Sequence, residues 1–324
     1  MVCPLLRDRG YNLHLLVKQR TLPVIVKEVN DISANTGFDL QEGKIWAVDK
    51  PLGWSSFHVV KKLRGALLSR VRAHGVRKLK VGHAGTLDPL ATGVMLICLG
   101  KTTKMIDTLQ SKVKEYVATI KLGETTPSFD LETPVDATWP TDHITLPLIE
   151  EKLKDFIGTI SQIPPSYSAC KVDGKRAYKM ARSGQEVELK PKTLVIDEIE
   201  IMSFDRENMT LTLRIVCSKG TYIRALARDI GASLGSGAHL SGLRRTRVGD
   251  YQVECCQSVE DAVAGIYRTE ITVPSQDPKA PPVVIPAGEY ISQEKDGGKD
   301  RRDILSYNER QQHTIFSTDE TLTV

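Results

Sequence analysis

Lys80-Val81-Gly82-His83-Ala84-Gly85-Thr86-Leu87-Asp88-Pro89-Leu90-Ala91-Thr92-Gly93 runs directly into the apolar stretch Val94-Met95-Leu96-Ile97-Cys98-Leu99. Gly82, Gly85 and Gly93 permit turns that a side chain would forbid. His83, Thr86 and Asp88 are the polar side chains between Gly82 and Pro89. Pro89 fixes its own φ and pushes Asp88 away from the α region. The apolar stretch reads as a fully buried strand. A carboxylate is therefore held on a stiffened loop at the entrance to a buried strand, which is how a scaffold presents a reactive acid. Taken alone, an Asp-Pro pair reads first as a turn whose Asp caps backbone amides.

Working outward, 324 residues allow one large domain or two ordinary ones, and 40% hydrophobic with 26% charged residues is a globular composition. The net charge of +4 says little about partners, but its distribution says more. Lys61 to Lys80 contains eight Lys or Arg and no acid, leading straight into the Asp88 loop. Such a run is either a solvated face or a phosphate-binding margin beside the site. The six Cys form no CxxC and have no His at metal spacing, so no metal site is expected. Cys98 and Cys217 sit in apolar runs as buried thiols, which fits a reducing compartment. No apolar run reaches about 18 residues, so no membrane span is expected. Arg7, Asp8 and Arg9 break the apolar core a secretory signal needs. A cytoplasmic location follows as the expectation.

Residues 1–43 carry no motif and read as an N-terminal extension. Lys44–Val48 alternates as a strand before the Pro51–Gly53 turn, and Ser55 or Ser56 caps a helix with Phe57, Val60, Leu63 and Leu67 on its apolar face. A helix reaching Leu109 follows Gly100-Lys101-Thr102, and Glu115–Leu122 alternates as a strand carrying Tyr116. Leu146–Ile157 is helical by periodicity. Pro164-Pro165 makes the segment ending at Lys171 extended, and Lys175–Ala181 reads as basic and helix-like. Leu194–Phe204 and Met209–Cys217 read as a hairpin. Gly220-Thr221 opens a helix through Leu234 with Tyr222 and Arg224 in its first turn. From Thr272 to Val324 periodicity collapses into a polar, Pro-rich tail expected to be disordered. Together these give an α+β domain over 44–271, with a mixed, mainly antiparallel sheet flanked by helices.

Two nucleotide-binding patterns fail. Gly100-Lys101-Thr102 lacks the P-loop glycine, since position 95 is Met95, and Gly235-Ser236-Gly237 lacks a third glycine and follows a helix. His83 and Asp88 have no third ligand nearby in sequence. Tyr116 and Tyr222 read by default as core aromatics with a polar tip. Arg224 in a first helical turn opposes the macrodipole and calls for an anionic partner, for which Asp88 is the candidate. Lys171 is a solvated loop charge or a phosphate contact.

The Asp88 loop resembles the central motif of the TruB family of pseudouridine synthases, and other motifs of that family follow in order. Lys50-Pro51-Leu52-Gly53-Trp54-Ser55-Ser56-Phe57 is similar to its lysine-proline turn, Lys114-Glu115-Tyr116 to its K-x-Y strand, and Gly123–Glu132 to the loop after it. Pro164–Lys171, Ser218–Arg224 and Gly237–Arg245 resemble the remaining motifs, so the resemblance covers residues 44–250. It implies the pseudouridine synthase catalytic fold with a central RNA-binding cleft. It also implies an isomerase that turns uridine 55 of the tRNA TΨC loop into pseudouridine after flipping the base, with no cofactor and no metal, acting as a monomer on the T-arm stem-loop.

By the same resemblance Asp88 is the catalytic aspartate, Arg224 its partner, and Tyr116 stacks on the flipped uracil or takes the C5 proton. His83 supports the RNA loop that the base has left, and Tyr222 and Leu243 line the pocket. Lys61–Lys80, Lys171 and Arg244–Arg247 are expected to contact phosphates. Many members end in a small β-barrel RNA-binding domain; residues 272–324 are too polar to resemble one, which points to a shorter form. Two other classes stay open at this stage. A non-catalytic RNA-folding protein would need the basic margin and His83 but not Asp88, and an Asp-nucleophile hydrolase would need further acids beside Asp88.

Overall fold

A computed structural model describes residues 37–288, apart from 169, 173–174, 178–179, 181–182, 184–188 and 278. The expected strands near Leu13–Val26 lie outside the described residues. The first elements are β1 (Phe38–Asp39), β2 (Ile45–Lys50), α1 (Ser56–Val71), β3 (Val81–His83), β4 (Ala91–Leu99), α2 (Ile106–Ser111) and β5 (Lys114–Leu122). The short strands β6 (Glu124–Thr125) and β7 (Ala137–Thr138) pair in a loop before α3 (Leu146–Leu153) and β8 (Gly158–Gln162). Then come β9 (Lys171–Val172), β10 (Lys175–Arg176), β11 (Lys192–Asp205), β12 (Thr210–Cys217), α4 (Ile223–Ser233) and β13 (Ala238–Val248). The described chain closes with β14 (Tyr251–Gln252), β15 (Gln257–Ser258), α5 (Val259–Arg268), β16 (Ile271–Val273) and β17 (Val283–Ile285).

One sheet dominates, in the order β15-β2-β4-β13-β5-β12-β11-β8, with β3 added on β4 and β14 on β13. Its pairings are antiparallel except β15 with β2 and β13 with β4. The expected mixed, mainly antiparallel α+β architecture is the one observed. β4 is apolar throughout because both faces are covered. Met95, Ile97 and Leu99 pack under α1 and α5, while Val94, Leu96 and Cys98 face Leu109, Val248 and Val253. β5 alternates because one face alone, from Tyr116 through Ala118 and Ile120 to Leu122, meets the core beneath α4.

Ser55 caps α1, its Oγ accepting from His58 N at 3.2 Å. Val59, Val60, Leu63, Leu67 and Val71 are fully or nearly fully buried, each contributing roughly 1.5–3 kcal/mol of transfer free energy. Phe57, expected on that face, is 60% exposed. It lies six residues before Leu63, about 120° round the helix from it.

The expected helix after Gly100 begins as a 3-10 turn over Gly100–Met105, with α2 beyond it. Of the expected basic helix at Lys175–Ala181, Lys175–Arg176 instead form β10 against β9, Ala177 and Met180 are helical, and 178–179 and 181 lie outside the described residues. The boundary expected at 271 falls inside β16, and the one at 44 falls in the turn between β1 and β2. β1 runs parallel to β16 with Phe38 opposite Ile271, and β17 lies antiparallel to β16, burying Leu40 and Ile285 in the α1–α5 core. Arg70 ties this end together by donating to the carbonyls of Ile266, Tyr267, Thr269 and Pro286. It therefore faces inward and is not part of the outward basic margin.

Candidate active site

The parallel pairing of β13 with β4 builds the site. It sets Leu243 opposite Ala91 and Arg245 opposite Gly93, at the end of β4 that the Asp88 loop enters. Gly93 has φ +106°, and a Cβ there would stand 2.1 Å from the Arg245 carbonyl oxygen. No other residue lets the strands approach so closely.

Three buried side chains clamp the loop by its backbone. Arg245, 1% exposed, donates from Nε to Val94 O (2.8 Å), from Nη2 to Gly85 O (3.2 Å) and from Nη1 to Thr86 O (3.4 Å). Ser56 Oγ donates to Leu87 O (2.9 Å) and accepts from Leu87 N (2.8 Å). Lys50 Nζ, wholly buried, donates to Pro51 O (2.8 Å), Trp54 O (2.5 Å) and Pro89 O (3.3 Å). Burial lowers the Lys50 pKa to about 8, with Asp88 opposing the shift. Asp88 stands on this fixed frame.

Asp88 and Arg224 meet as the helix argument required. Arg224 Nε lies 3.0 Å from Asp88 Oδ2 and 3.5 Å from Asp130 Oδ2. Its Nη1 and Nη2 donate to Ser128 O and Tyr167 O, each at 3.0 Å. The Arg224 and Asp130 side chains are 4% and 6% exposed, whereas that of Asp88 is 42% exposed. The guanidinium is thus spent on holding a loop and two acids, and Asp88 alone of the three reaches solvent.

Asp88 opens into a narrow pocket whose apolar walls are Leu90, Ala91, Leu131, Leu240 and Leu243. Burial raises its pKa above the ordinary carboxylate value; Arg224 opposes this, and Asp130 and Glu132 add to it. Desolvation and two neighbouring acids therefore outweigh the one cation in setting the direction of the shift.

Tyr116 is buried on β5, directly opposite Arg245 in the β13–β5 register. Burial raises its pKa further above the usual phenol value, so it is a neutral hydroxyl at pH 7. His83 ends β3; burial and the Arg245 charge lower its pKa, and its Nδ1 is buried without a hydrogen-bond partner among the described residues. Tyr222 precedes α4, its OH 3.2 Å from Cys170 Sγ, while Gln162 bonds both its backbone N and O. Lys171 lies in β9. The structure therefore joins Asp88, Arg224 and Leu243 around one pocket, with Tyr116 opposite the Arg245 that clamps the loop.

Asp130, Lys50, Ser56 and Arg245 are the site residues that sequence reasoning left without their roles. Lys50 had a legible signal: alternation along β2 puts it on the same buried face as Trp46 and Val48. Of Arg244–Arg247, expected on phosphates, Arg245 is buried, Arg244 pairs with Asp49 at 2.6 Å and Arg247 lies 3.6 Å from Glu115. Their spacing in a strand, next to acids distant in sequence, was not visible beforehand.

Residues 72–223 match the model of the TruB family pseudouridylate synthase N-terminal domain, and 224–275 that of the tRNA pseudouridylate synthase B C-terminal domain. The chain is 60% identical over 233 residues to tRNA pseudouridine synthase B of Phocaeicola vulgatus, covering 72% of this chain and 97% of that one. It is 62% identical over 218 residues to the protein of that name from Bacteroides fragilis, covering 67% and 91%. In a solved Cbf5-Nop10-Gar1 complex, a chain 29% identical superposes with a TM-score of 0.52 over 73% of this chain, which spans 56% of that one. With two family models in tandem over 72–275 and relatives matched over almost their whole length, the chain belongs to the TruB family of pseudouridine synthases, which are isomerases.

Proposed function

We propose that this protein isomerises uridine 55 in the TΨC loop of tRNA to pseudouridine. The observation that carries the reading is a single half-exposed carboxylate, Asp88, held by buried Arg224 at the mouth of an apolar pocket. The relatives named tRNA pseudouridine synthase B support tRNA as the substrate.

The reaction breaks the N1–C1′ bond, forms a C5–C1′ bond, releases the C5 proton and returns one to N1. It is redox-neutral and needs no external group. A uridine in a folded loop must leave its stack to reach the pocket, at a cost of a few kcal/mol. The walls Leu90, Leu131, Leu240 and Leu243 offset part of that by covering the ring. Asp88 must be ionised to act on the sugar or the ring, and Arg224 keeps the carboxylate oriented through Nε. Tyr116, opposite Arg245 across the strands, supports the uracil from beneath as a neutral phenol. His83 supports the RNA loop, and Tyr222 and Lys171 act at the margin of the site.

The test uses purified protein, unmodified tRNA transcript and no cofactor, with Asp88→Asn beside it. Pseudouridine mapped only to the TΨC-loop uridine, and lost in the variant with tRNA affinity within about tenfold, supports the reading. Tight tRNA binding with no pseudouridine from either protein would replace it with an RNA-folding role.

A further inference from the structure

Among the described residues, two that are not glycine have positive φ: Met209 at +47° and Phe129 at +61°. Met209 closes the turn between β11 and β12, where such backbone is ordinary. Phe129 lies partway along the loop between β6 and β7. A bulky side chain resists the left-handed region, and a residue held there persists only where its surroundings over-determine it. They do so here. Phe129 N donates to Thr126 O at 3.1 Å, and its carbonyl accepts from Leu240 N at 3.0 Å. Thr126 Oγ1 donates to Asp130 O at 2.7 Å. The ring lies under Arg228, whose Cζ stands 4.8 Å from the ring centroid.

Helix α4 grips this loop at three successive residues. Arg224 donates to Ser128 O through Nη1 at 3.0 Å and faces Asp130 Oδ2 at 3.5 Å. Arg228, four residues on and so on the same side of the helix, covers the ring between them. Arg228 is itself fixed, its Nη2 donating to Ile163 O at 3.1 Å and its Nε to Asp229 Oδ1 at 2.8 Å. Asp130 Oδ1 accepts from Glu132 N at 2.9 Å, which leaves Oδ2 for Arg224.

The sign of φ at 129 decides whether this grip exists. Rotating it into the negative range turns the chain before Phe129 against the chain after it. Ser128 O and Asp130 then cannot both stay on Arg224 while Thr126 and Leu240 hold the ends. The same turn places two walls of the Asp88 pocket, since Leu131 follows Asp130 and Leu240 is bonded to Phe129 O.

We propose that Phe129, with Arg228 seated on its ring, is a positioning residue for the isomerisation: its left-handed backbone presents Ser128 O and Asp130 together to Arg224, which in turn holds Asp88 at the pocket mouth. The proposal rests on the reading of Asp88 as the reacting carboxylate. Phe129 acts through Arg224 and not on the substrate.

The experiment measures single-turnover pseudouridine formation at saturating tRNA transcript, and tRNA affinity separately, on variants shown to be folded. Phe129→Val resists the left-handed backbone and removes the ring, and should slow the reaction about tenfold or more. Phe129→Asn tolerates that backbone without the ring and should slow it about threefold, as should Arg228→Gln. Both remove one contact, so the two combined should match either alone within about twofold. Phe129→Tyr restores a ring under Arg228 and should recover the rate to within about twofold. Affinity for tRNA should stay within about twofold throughout, which puts the loss on the chemical step.

A pH profile adds a readout that lost stability alone does not move. The charged and titratable groups around Asp88 are Arg224, Lys50, Asp130, Glu132, Tyr116 and Tyr222. In Phe129→Val, Asp130 leaves while Arg224 stays, so the acid limb should move to lower pH. Equal rates for Phe129→Val and Phe129→Asn, an unmoved acid limb, or affinity falling in step with rate overturns the proposal. Should Phe129→Val fail to fold, full additivity of Phe129→Asn with Arg228→Gln overturns it instead. Asp88→Asn runs alongside. No product from the unaltered protein, or product from Asp88→Asn, refutes the reading of Asp88; an active unaltered protein with Phe129→Val equally fast refutes the role of Phe129 alone.

Discussion

Arg224→Met removes the cation that three parts of the site share. Its guanidinium serves Asp88 at 3.0 Å, Asp130 at 3.5 Å and the carbonyls of Ser128 and Tyr167 at 3.0 Å each, and it is 4% exposed. Methionine fills a similar volume but donates nothing, leaving Asp130 as an uncompensated buried charge. Breaking such a pair from one side costs about 3–5 kcal/mol. In a domain of this size each kcal/mol moves Tm by about 2–4 °C, so a fall of roughly 6–20 °C is expected. Adding Asp130→Asn neutralises the stranded acid. The double variant should regain about 1–3 kcal/mol relative to the sum of the singles, within the range of coupled neighbours. Urea titration followed by circular dichroism measures all four corners of this cycle. A cost for Arg224→Met under about 1 kcal/mol, or strict additivity with Asp130→Asn, would show that the guanidinium does not hold this centre together.

Asp88→Asn should behave oppositely, abolishing product while leaving stability at pH 7 equal or greater. The folded pKa of Asp88 is raised, so its ionised form costs stability above that pKa, and the cost disappears as pH falls below the unfolded value; a variant markedly less stable at pH 7 would contradict this. For the same reason, the acid limb of the single-turnover rate should lie above the reference carboxylate value. Asp130→Asn removes a like charge, so that limb should move to lower pH in a rate profile, and a shift upward would assign control to the loss of the Arg224 contact. Arg245→Met should destabilise by about 3–5 kcal/mol by leaving three carbonyls with a lost donor. It should also slow single-turnover chemistry at saturating tRNA, because the Asp88 loop loses its clamp; an unchanged rate in the folded variant would reduce Arg245 to a core residue.

What the chain determines by itself lies in short-range pattern and in local backbone chemistry. The unbroken apolar run to Leu99 read as a fully buried strand, and alternation over Glu115–Leu122 as a second strand; both formed, the latter beginning at Lys114 with one face in the core. Arg224 in a first helical turn demanded an acid, and the glycines with Pro89 fixed where a stiff loop could hold one. What the chain could not show is which distant groups meet. Asp130 joins Arg224 across 94 positions, and Arg245 reaches back about 160 to the carbonyls before Asp88. Those meetings depend on the parallel docking of β13 against β4, which no periodicity encodes. The direction of the Asp88 pKa shift belongs to the same class. It is set by competition between desolvation and charges brought together by packing, so it exists only in the folded molecule.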